Sequence, residues 1–182
     1  MNPSEPFSIQ PSDWPERDLA RVQASGIHGT GAFAKGQISR GTRIIEYKGQ
    51  RCRKADLLAA AQRGERNLTY VLNLDDELAI DGAVDGNEAR FLNHSCAPNC
   101  EVLIFGSVPY LYALRDIAEG AELTFDYQLQ SPSGHRLSYA LSRELFPCHC
   151  GAQGCRRTLV ALPHRRTKAP SKDRASSSPA QH

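Results

Sequence analysis

No run of apolar residues in this chain approaches the roughly 20 needed to span a bilayer, so no membrane association is expected. Residues Met1 to Asp13 are polar and carry prolines. They lack the basic-then-apolar order of a secretory signal, which makes a cytoplasmic start the expectation. Charge of one sign is missing too. Lys and Arg number 22 against 20 Asp and Glu, a formal +2, whereas domains that grip phosphate backbones carry a clearer basic excess. Direct sequence-specific nucleic-acid binding is therefore not expected. No internal repeat is visible. The glycine-rich turn Gly26-Ile27-His28-Gly29-Thr30-Gly31 lacks the G-x-G-x-x-G spacing and the following helix of a dinucleotide site.

What is present is an ordinary globular balance. The 182 residues, 40% hydrophobic and 23% charged, suffice for one packed domain with short tails. Residues 1–18 read as a flexible leader. Residues 163–182 are rich in Lys, Arg, Ser and Pro without apolar periodicity and are expected to be a disordered basic tail. Between them lie short strands parted by Gly, Pro and Asp. The candidates are Ala20 to Ala24, Gly31 to Ala34, Thr42 to Tyr47, Tyr70 to Leu74, Leu78 to Ile80, Val102 to Phe105, Leu111 to Leu114 and Glu122 to Phe125. One helix is predicted from Asp56 as its N-cap, through Leu57, Leu58 and the alanines, to a left-handed stop near Gly64, with a second short one over Asn87 to Leu92. The predicted class is mostly β with short helices.

Six cysteines, Cys52, Cys96, Cys100, Cys148, Cys150 and Cys155, occur without a secretory signal, and three of them cluster as C-x-C-x4-C. In a reducing compartment such crowding points to metal rather than to disulfides. Zn²⁺ takes sulfur and imidazole ligands in a tetrahedron, so three thiolates leave one corner to fill. Cys96, Cys100, His94 and His149 are all candidates, and spacing alone does not choose among them. Cys52 reads as a small buried hydrophobe.

A second concentration of chemistry runs Arg90-Phe91-Leu92-Asn93-His94-Ser95-Cys96-Ala97-Pro98-Asn99. Asn93 and His94 offer donors and acceptors suited to a purine edge or to amino and carboxylate groups. Downstream, in Glu122-Leu123-Thr124-Phe125-Asp126-Tyr127, the aromatics fall at alternate positions, so Phe125 and Tyr127 share one face of an extended segment.

These segments, in this order, resemble the SET domain. The resemblance rests on Gly26 to Ala34, Ile44 to Gly49, Tyr70 to Asp81, Asn87 to Asn99 and Glu122 to Tyr127, with a cysteine cluster similar to the family's post-SET motif. It spans about Leu19 to Leu159. The flavour is that of the Trithorax-like group, although the compactness looks more like a bacterial stand-alone member than a chromatin-complex subunit. The division implied is a SET domain over 19–130, a connecting segment over 131–147 and a post-SET zinc segment over 148–162.

The resemblance implies small curved β-sheets with a C-terminal pseudoknot, and a protein-lysine methyltransferase using S-adenosylmethionine. It places His28, Gly29, Thr30, Gly31, Tyr70, Arg90, Asn93, His94, Tyr127 and His149 around the cofactor. It makes Tyr127, Tyr70 and Phe125 the catalytic set. It assigns Cys96, Cys148, Cys150 and Cys155 to one structural zinc, leaving Cys100 a bystander. Phe125 stands at the family's product-specificity switch, which implies di- or trimethyl-lysine as product. The implied partner is a protein bearing a target lysine, whether histone, histone-like or ribosomal, met by a monomer.

Two departures bear on the substrate. No cysteine-rich cluster precedes the domain, and the insert from Arg51 to Asn67 is short and alanine-rich. The competing readings are an inactive SET-like binding module, which a lost Tyr127 or Asn93-His94 pair would favour, and a zinc-dependent nucleic-acid binder, which the near-neutral charge disfavours. Besides the cytoplasm, the nucleus or chromatin, or delivery into a host cell, are alternative locations.

Overall fold

The computed structural model describes residues 17–130 and 137–161. The expected leader and basic tail lie almost wholly outside these residues.

Ten short strands form four small sheets. β1 (Ala20–Ala24) and β2 (Thr30–Ala34) make an antiparallel hairpin. The turn between them closes on Ser25, whose hydroxyl accepts the N–H groups of Ile27 and His28. β3 (Arg43–Glu46), β8 (Cys100–Phe105) and β9 (Val108–Ala113) form a sheet in the order β3-β9-β8. β4 (Gln50–Arg53), β5 (Val71–Asn73) and β6 (Leu78–Asp81) form another in the order β4-β6-β5. The fourth is a short parallel pair of β7 (Asn93–His94) and β10 (Thr124–Phe125), matching Thr124 to Asn93 and Phe125 to His94.

The core sits beneath β2, β3 and β9. Ala32, Ala34, Ile38, Ile44, Leu92, Leu111, Ala113, Ile117 and Leu123 are at most 2% exposed. Removing such apolar surface from water is worth about 25 cal/mol per Å², and small alanines let the strands approach closely. One charged group shares this interior. Asp81, fully buried, accepts from Arg66 Nη1 at 2.9 Å and from Ala83 N at 2.9 Å, so its carboxylate is paired as burial requires. That ion pair ties the 63–70 loop to the β4-β6-β5 sheet.

All eight expected strands occur, β1 with the expected ends and the others with ends shifted by at most three residues. Two were not foreseen. β4 is rich in long polar side chains, and β7 is only two residues held by its neighbour. The helix α1 spans Lys54–Gln62, and here the expected cap is corrected. Arg53 is the N-cap residue, without a side-chain cap, and Asp56 sits in the first turn, holding Arg53 through two hydrogen bonds. A carboxylate there still favours the positive end of the helix dipole. Gly64, at φ +75°, ends the helix as expected. The segment Asn87 to Leu92 contains a short 3-10 helix, Glu88–Phe91. The stretch expected only to connect contains a second helix, α2 (Tyr139–Leu145), capped by Ser138, whose hydroxyl accepts from Leu141 N. Cys52 is half-buried rather than buried.

Candidate active site and cysteine cluster

The parallel pairing of β7 with β10 sets Asn93-His94 beside Phe125-Asp126-Tyr127. Asn99, 8% exposed, locks this arrangement. Its amide nitrogen donates to Glu122 O and its oxygen accepts from Thr124 N, both at 2.8 Å. Asn93 is buried, and its side-chain nitrogen faces Glu122 Oε1 at 2.8 Å, Ser25 Oγ at 3.1 Å and the carbonyls of Thr30 and His28 at 3.1 and 3.2 Å. It thus fastens the exposed His28-Gly29-Thr30 turn to the centre of the molecule. Ser25 and Glu122, joined at 2.7 Å, complete this knot. Reading the sequence did not single them out, because the contact joins residues 97 positions apart.

His94 is 3% exposed. Its Nδ1 accepts from Tyr127 N at 3.2 Å, so Nε2 carries the proton, 3.3 Å from Cys96 Sγ. Burial first, and the nearby Arg156 second, lower its pKa to about 4. It is therefore neutral, and the 3.5 Å approach of Asp126 Oδ1 is not an ion pair at neutral pH.

Tyr127 packs against Phe125, with ring centroids 4.8 Å apart, and against His94, at 5.4 Å. Its hydroxyl donates to Leu92 O at 2.8 Å. Burial, then Tyr70 and Glu122, push its ionisation well above the ordinary tyrosine range, so it is a phenol and not a phenolate. Tyr70 meets Phe91 edge-on at 5.9 Å, with the Arg90 guanidinium 4.7 Å from the Phe91 ring and 5.8 Å from the Tyr70 ring. The carbonyl of Tyr70 accepts from Tyr47 Oη at 2.8 Å and from Gly82 N at 2.9 Å. A Cβ at Gly82 would come within 2.9 Å of that Tyr47 oxygen, so a glycine is required. Arg90 Nε is buried without a hydrogen-bond partner among the described residues.

A groove of about 380 Å³ opens over Phe125, Asp126 and Tyr127, walled by Leu72 and Asn73 of β5 and by Glu101, Val102 and Ile104 of β8. His149 does not line it. That exposed side chain faces a second cleft of about 470 Å³, shared with Ala140, Arg143 and Glu144 of α2.

The four cysteines Cys96, Cys148, Cys150 and Cys155 converge, with all four sulfurs within 4.8 Å of one another. Cys96 Sγ lies 3.8 Å from Cys148 Sγ and 3.9 Å from Cys155 Sγ. A tetrahedron with metal–sulfur bonds of ~2.3 Å has edges of about 3.8 Å, so the cluster could hold a metal ion. Cys100 is excluded. It is 1% exposed, donates to Asn99 Oδ1, and burial pushes its thiol up to about 12. Within the cluster burial also disfavours thiolates, but at Cys150 the N–H groups of Cys96 and Ala152 prevail and lower the thiol to about 6.

Arg156, directly after Cys155, reaches back to Asp126 with two short bonds, 2.7 Å from Nη1 and 2.6 Å from Nη2. Burial opposes the Asp126 charge, yet these bonds hold the carboxyl below its ordinary range. Arg156 also donates to the carbonyls of Val160 and Leu159. It was missed from sequence because its partner lies 30 residues away.

The family signature of the SET domain matches residues 29–128, more than half of the chain. The chain belongs to the SET-domain family. It is 35% identical over 150 residues to the histone-lysine N-methyltransferase trithorax of Drosophila virilis, covering 79% of this chain and 4% of that protein. It is 37% identical over 153 residues to the human histone-lysine N-methyltransferase 2B, covering 79% and 5%. An H3 lysine-4 specific histone-lysine N-methyltransferase of Neurospora crassa is 38% identical over 139 residues, covering 72% and 10%. The chain thus spans a tenth or less of the length of these relatives. Among the described residues, no helix of this SET-domain chain is long and apolar enough to cross a membrane.

Proposed function

We propose that this chain transfers methyl groups from S-adenosylmethionine to the ε-amino group of lysine in a protein substrate. The observation that carries the reading is the open groove lined by Phe125, Asp126 and Tyr127, with Tyr127 held from behind by the buried His94, within the span that matches the SET domain. The residues fit the donor molecule. Arg90 Nε is a buried donor without a partner among the described residues, and a Cβ built at Gly26 or Gly29 would meet nothing within 4 Å, so the turn has open space beside it. His28, Gly29, Thr30, Gly31, Tyr70, Arg90, Asn93, His94, Tyr127 and His149 would hold it. When bound, it supplies a methyl group on a positively charged sulfur.

The protein's part is to deliver a neutral amine in line with that methyl. A free lysine, with a pKa near ~10.4, is mostly protonated at neutral pH. The aromatic faces of Phe125 and Tyr127 in the groove would disfavour the ammonium form by desolvation. Tyr127, held as a phenol, does not take the proton; it orients the amine through its hydroxyl, and the proton leaves to water. Aligning the two partners removes several kcal/mol of barrier. Cys96, Cys148, Cys150 and Cys155 would hold one Zn²⁺ in a structural role, since four thiolates supply a complete tetrahedral ligand set. A reducing compartment, the cytoplasm or the nucleus, suits such a site.

The test is incubation with labelled donor, purified histones and a cell lysate. Label on lysine of a protein is the expected result, and its absence despite donor binding would favour an inactive binding module. Phe125 lacks a hydroxyl that could hold a water against the amine, so the product should reach di- or trimethyl-lysine. Phe125→Tyr should shift it towards monomethyl-lysine without abolishing transfer. Exhaustive reaction of a substrate peptide read by mass spectrometry decides; a wild type that stalls at one methyl rejects the assignment.

A further inference from the structure

The carboxylate of Glu122 has no task in the methyl-transfer reading. It is half-buried and forms no ion pair among the described residues. Its backbone is fixed against β2. Glu122 bridges antiparallel to Phe33, and the next residue, Leu123, donates its N–H to Ala32 O at 2.8 Å. A Cβ at Gly31 would collide with Glu122 Oε1, so glycine is needed there for the carboxylate to lie against the end of the His28-Gly29-Thr30 turn.

What that carboxylate does is set the direction of an amide. Glu122 Oε1 accepts from Ser25 Oγ at 2.7 Å and from Asn93 Nδ2 at 2.8 Å. The one hydroxyl hydrogen of Ser25 is committed to Glu122, so Ser25 Oγ can only accept from Asn93. One side of the Asn93 amide therefore meets four acceptors: the carboxylate, the Ser25 oxygen and the carbonyls of Thr30 and His28. An amide oxygen placed there would face only lone pairs, so the nitrogen points inward and Oδ1 outward. Oδ1 accepts no hydrogen bond among the described residues, yet it is not sealed from solvent, since Arg90 Nε is the one fully buried side-chain polar atom among them without a partner. Four acceptors on the nitrogen, one of them charged, polarise the amide and strengthen Oδ1 as an acceptor. Such an oxygen, backed by a carboxylate that has no cation, favours a charged donor over a neutral one. On S-adenosylmethionine the α-ammonium is the N–H donor that carries charge.

We propose that Glu122 is a positioning residue for the methyl donor: it holds the Asn93 amide nitrogen-inward, so that Asn93 Oδ1 is presented to the α-ammonium group of S-adenosylmethionine. Glu122 acts through Asn93 and does not itself touch the donor. This role rests on the methyl-transfer reading, in which Asn93 is one of the residues that would hold the donor. It adds which atom of Asn93 meets the donor, which group of the donor it meets, and what fixes that choice.

The test is a binding titration of the full chain with two probes that cannot react, S-adenosylhomocysteine and its analogue with hydrogen in place of the α-amino group. The readout is the ratio of their dissociation constants. The wild type should bind the analogue on the order of 10-fold more weakly. In Glu122→Ala the ratio should fall close to unity, because S-adenosylhomocysteine loses affinity and the analogue does not. Glu122→Gln keeps an acceptor at Oε1 for both hydrogen bonds, and with them the fold, but lacks the charge; its ratio should lie between those of the wild type and the alanine variant. A residue that only supports the fold would weaken both probes alike and leave the ratio unchanged. A wild-type ratio close to unity would overturn the role given to Glu122 while donor binding stands. So would a wild-type ratio retained in Glu122→Ala or, should that variant not fold, in Glu122→Gln. A wild-type chain that binds neither probe would remove the donor-binding reading as well.

Discussion

The apolar body under β2, β3 and β9 and the cysteine-bearing segment around α2 both support Tyr127, but they hold it with different forces. In the body, Ile38, Ile44, Leu92, Leu111 and Leu123 are at most 2% exposed, and support is shared among many dispersion contacts, each small. Around α2 the apolar side chains Tyr139, Leu141 and Leu145 are exposed, and the most buried groups are the polar Ser142 and Thr158. Thr158 Oγ1 donates to Ser142 O at 2.9 Å, Arg156 clamps Asp126, and four sulfurs converge. The first region should degrade gradually under substitution. The second depends on a few directional contacts and should release when one is cut.

The largest contrast should come from the cysteines. Cys148→Ser, or removal of zinc with a chelator, withdraws the organising centre of the segment, a loss of several kcal/mol at least on the scale of structural zinc sites. Hydrogen exchange should rise sharply across 147–161 while β1 and β2 stay protected. Elemental analysis should give one zinc per wild-type chain; a metal-free wild type purified without chelator would end this account.

Tyr127→Phe separates support from chemistry. It removes one hydroxyl and little volume, so both regions should keep their exchange protection while turnover falls on the order of 100-fold. Near wild-type turnover at saturating substrate would reject the role given to Tyr127.

Arg156→Gln should leave the zinc in place but strand the Asp126 carboxylate. Breaking a mostly buried pair costs about 2–3 kcal/mol, discounted from a fully buried one because both groups keep some exposure. The loss should appear as faster exchange near Phe125 to Leu129 and as lower turnover at full zinc occupancy. Arg156→Lys, which keeps one contact, should recover part of both. Loss of zinc in the glutamine variant would show that Arg156 serves the cluster instead.

The smallest effect tests the apolar side. Tyr47→Phe loses the hydrogen bond to Tyr70 O, about 1 kcal/mol at neutral pH. Burial, followed by Tyr127 and Asp81, raises the ionisation of Tyr47 well above its ordinary value of 10.0. The folded state therefore keeps a proton that the unfolded state gives up. This contribution is complete below about pH 10 and is lost as pH rises further, by about 1.4 kcal/mol per pH unit. Urea midpoints should show the variant falling less steeply than the wild type above about pH 10; parallel slopes would mean that Tyr47 ionises freely.

The strand Arg43–Glu46 was legible because Thr42, Ile44, Ile45 and Tyr47 are β-branched or aromatic and lie between Gly41 and Gly49, and Gly64 marked a helix end that its positive φ requires. The β4 strand was not legible, since Gln50, Arg51, Cys52 and Arg53 become a strand only by pairing with Leu78–Asp81. Nor was the true start of α1, because Asp56 has a cap residue's chemistry but binds Arg53 instead.

By itself the sequence determined the class of fold, the family, three clustered thiols and the aromatic pair Phe125 and Tyr127, all of which are carried by local pattern and spacing. Spacing left the fourth member of the sulfur cluster open and the resemblance implied Cys96; the tertiary structure turns Cys100 into the core and Cys96 towards Cys148. It alone joined Arg156 to Asp126, Asn93 to the His28 turn, and Tyr47 to Tyr70. These contacts span 23 to 65 residues, and no local pattern encodes them. They exist because folding brings distant parts of the chain together around buried polar groups that must each find a partner.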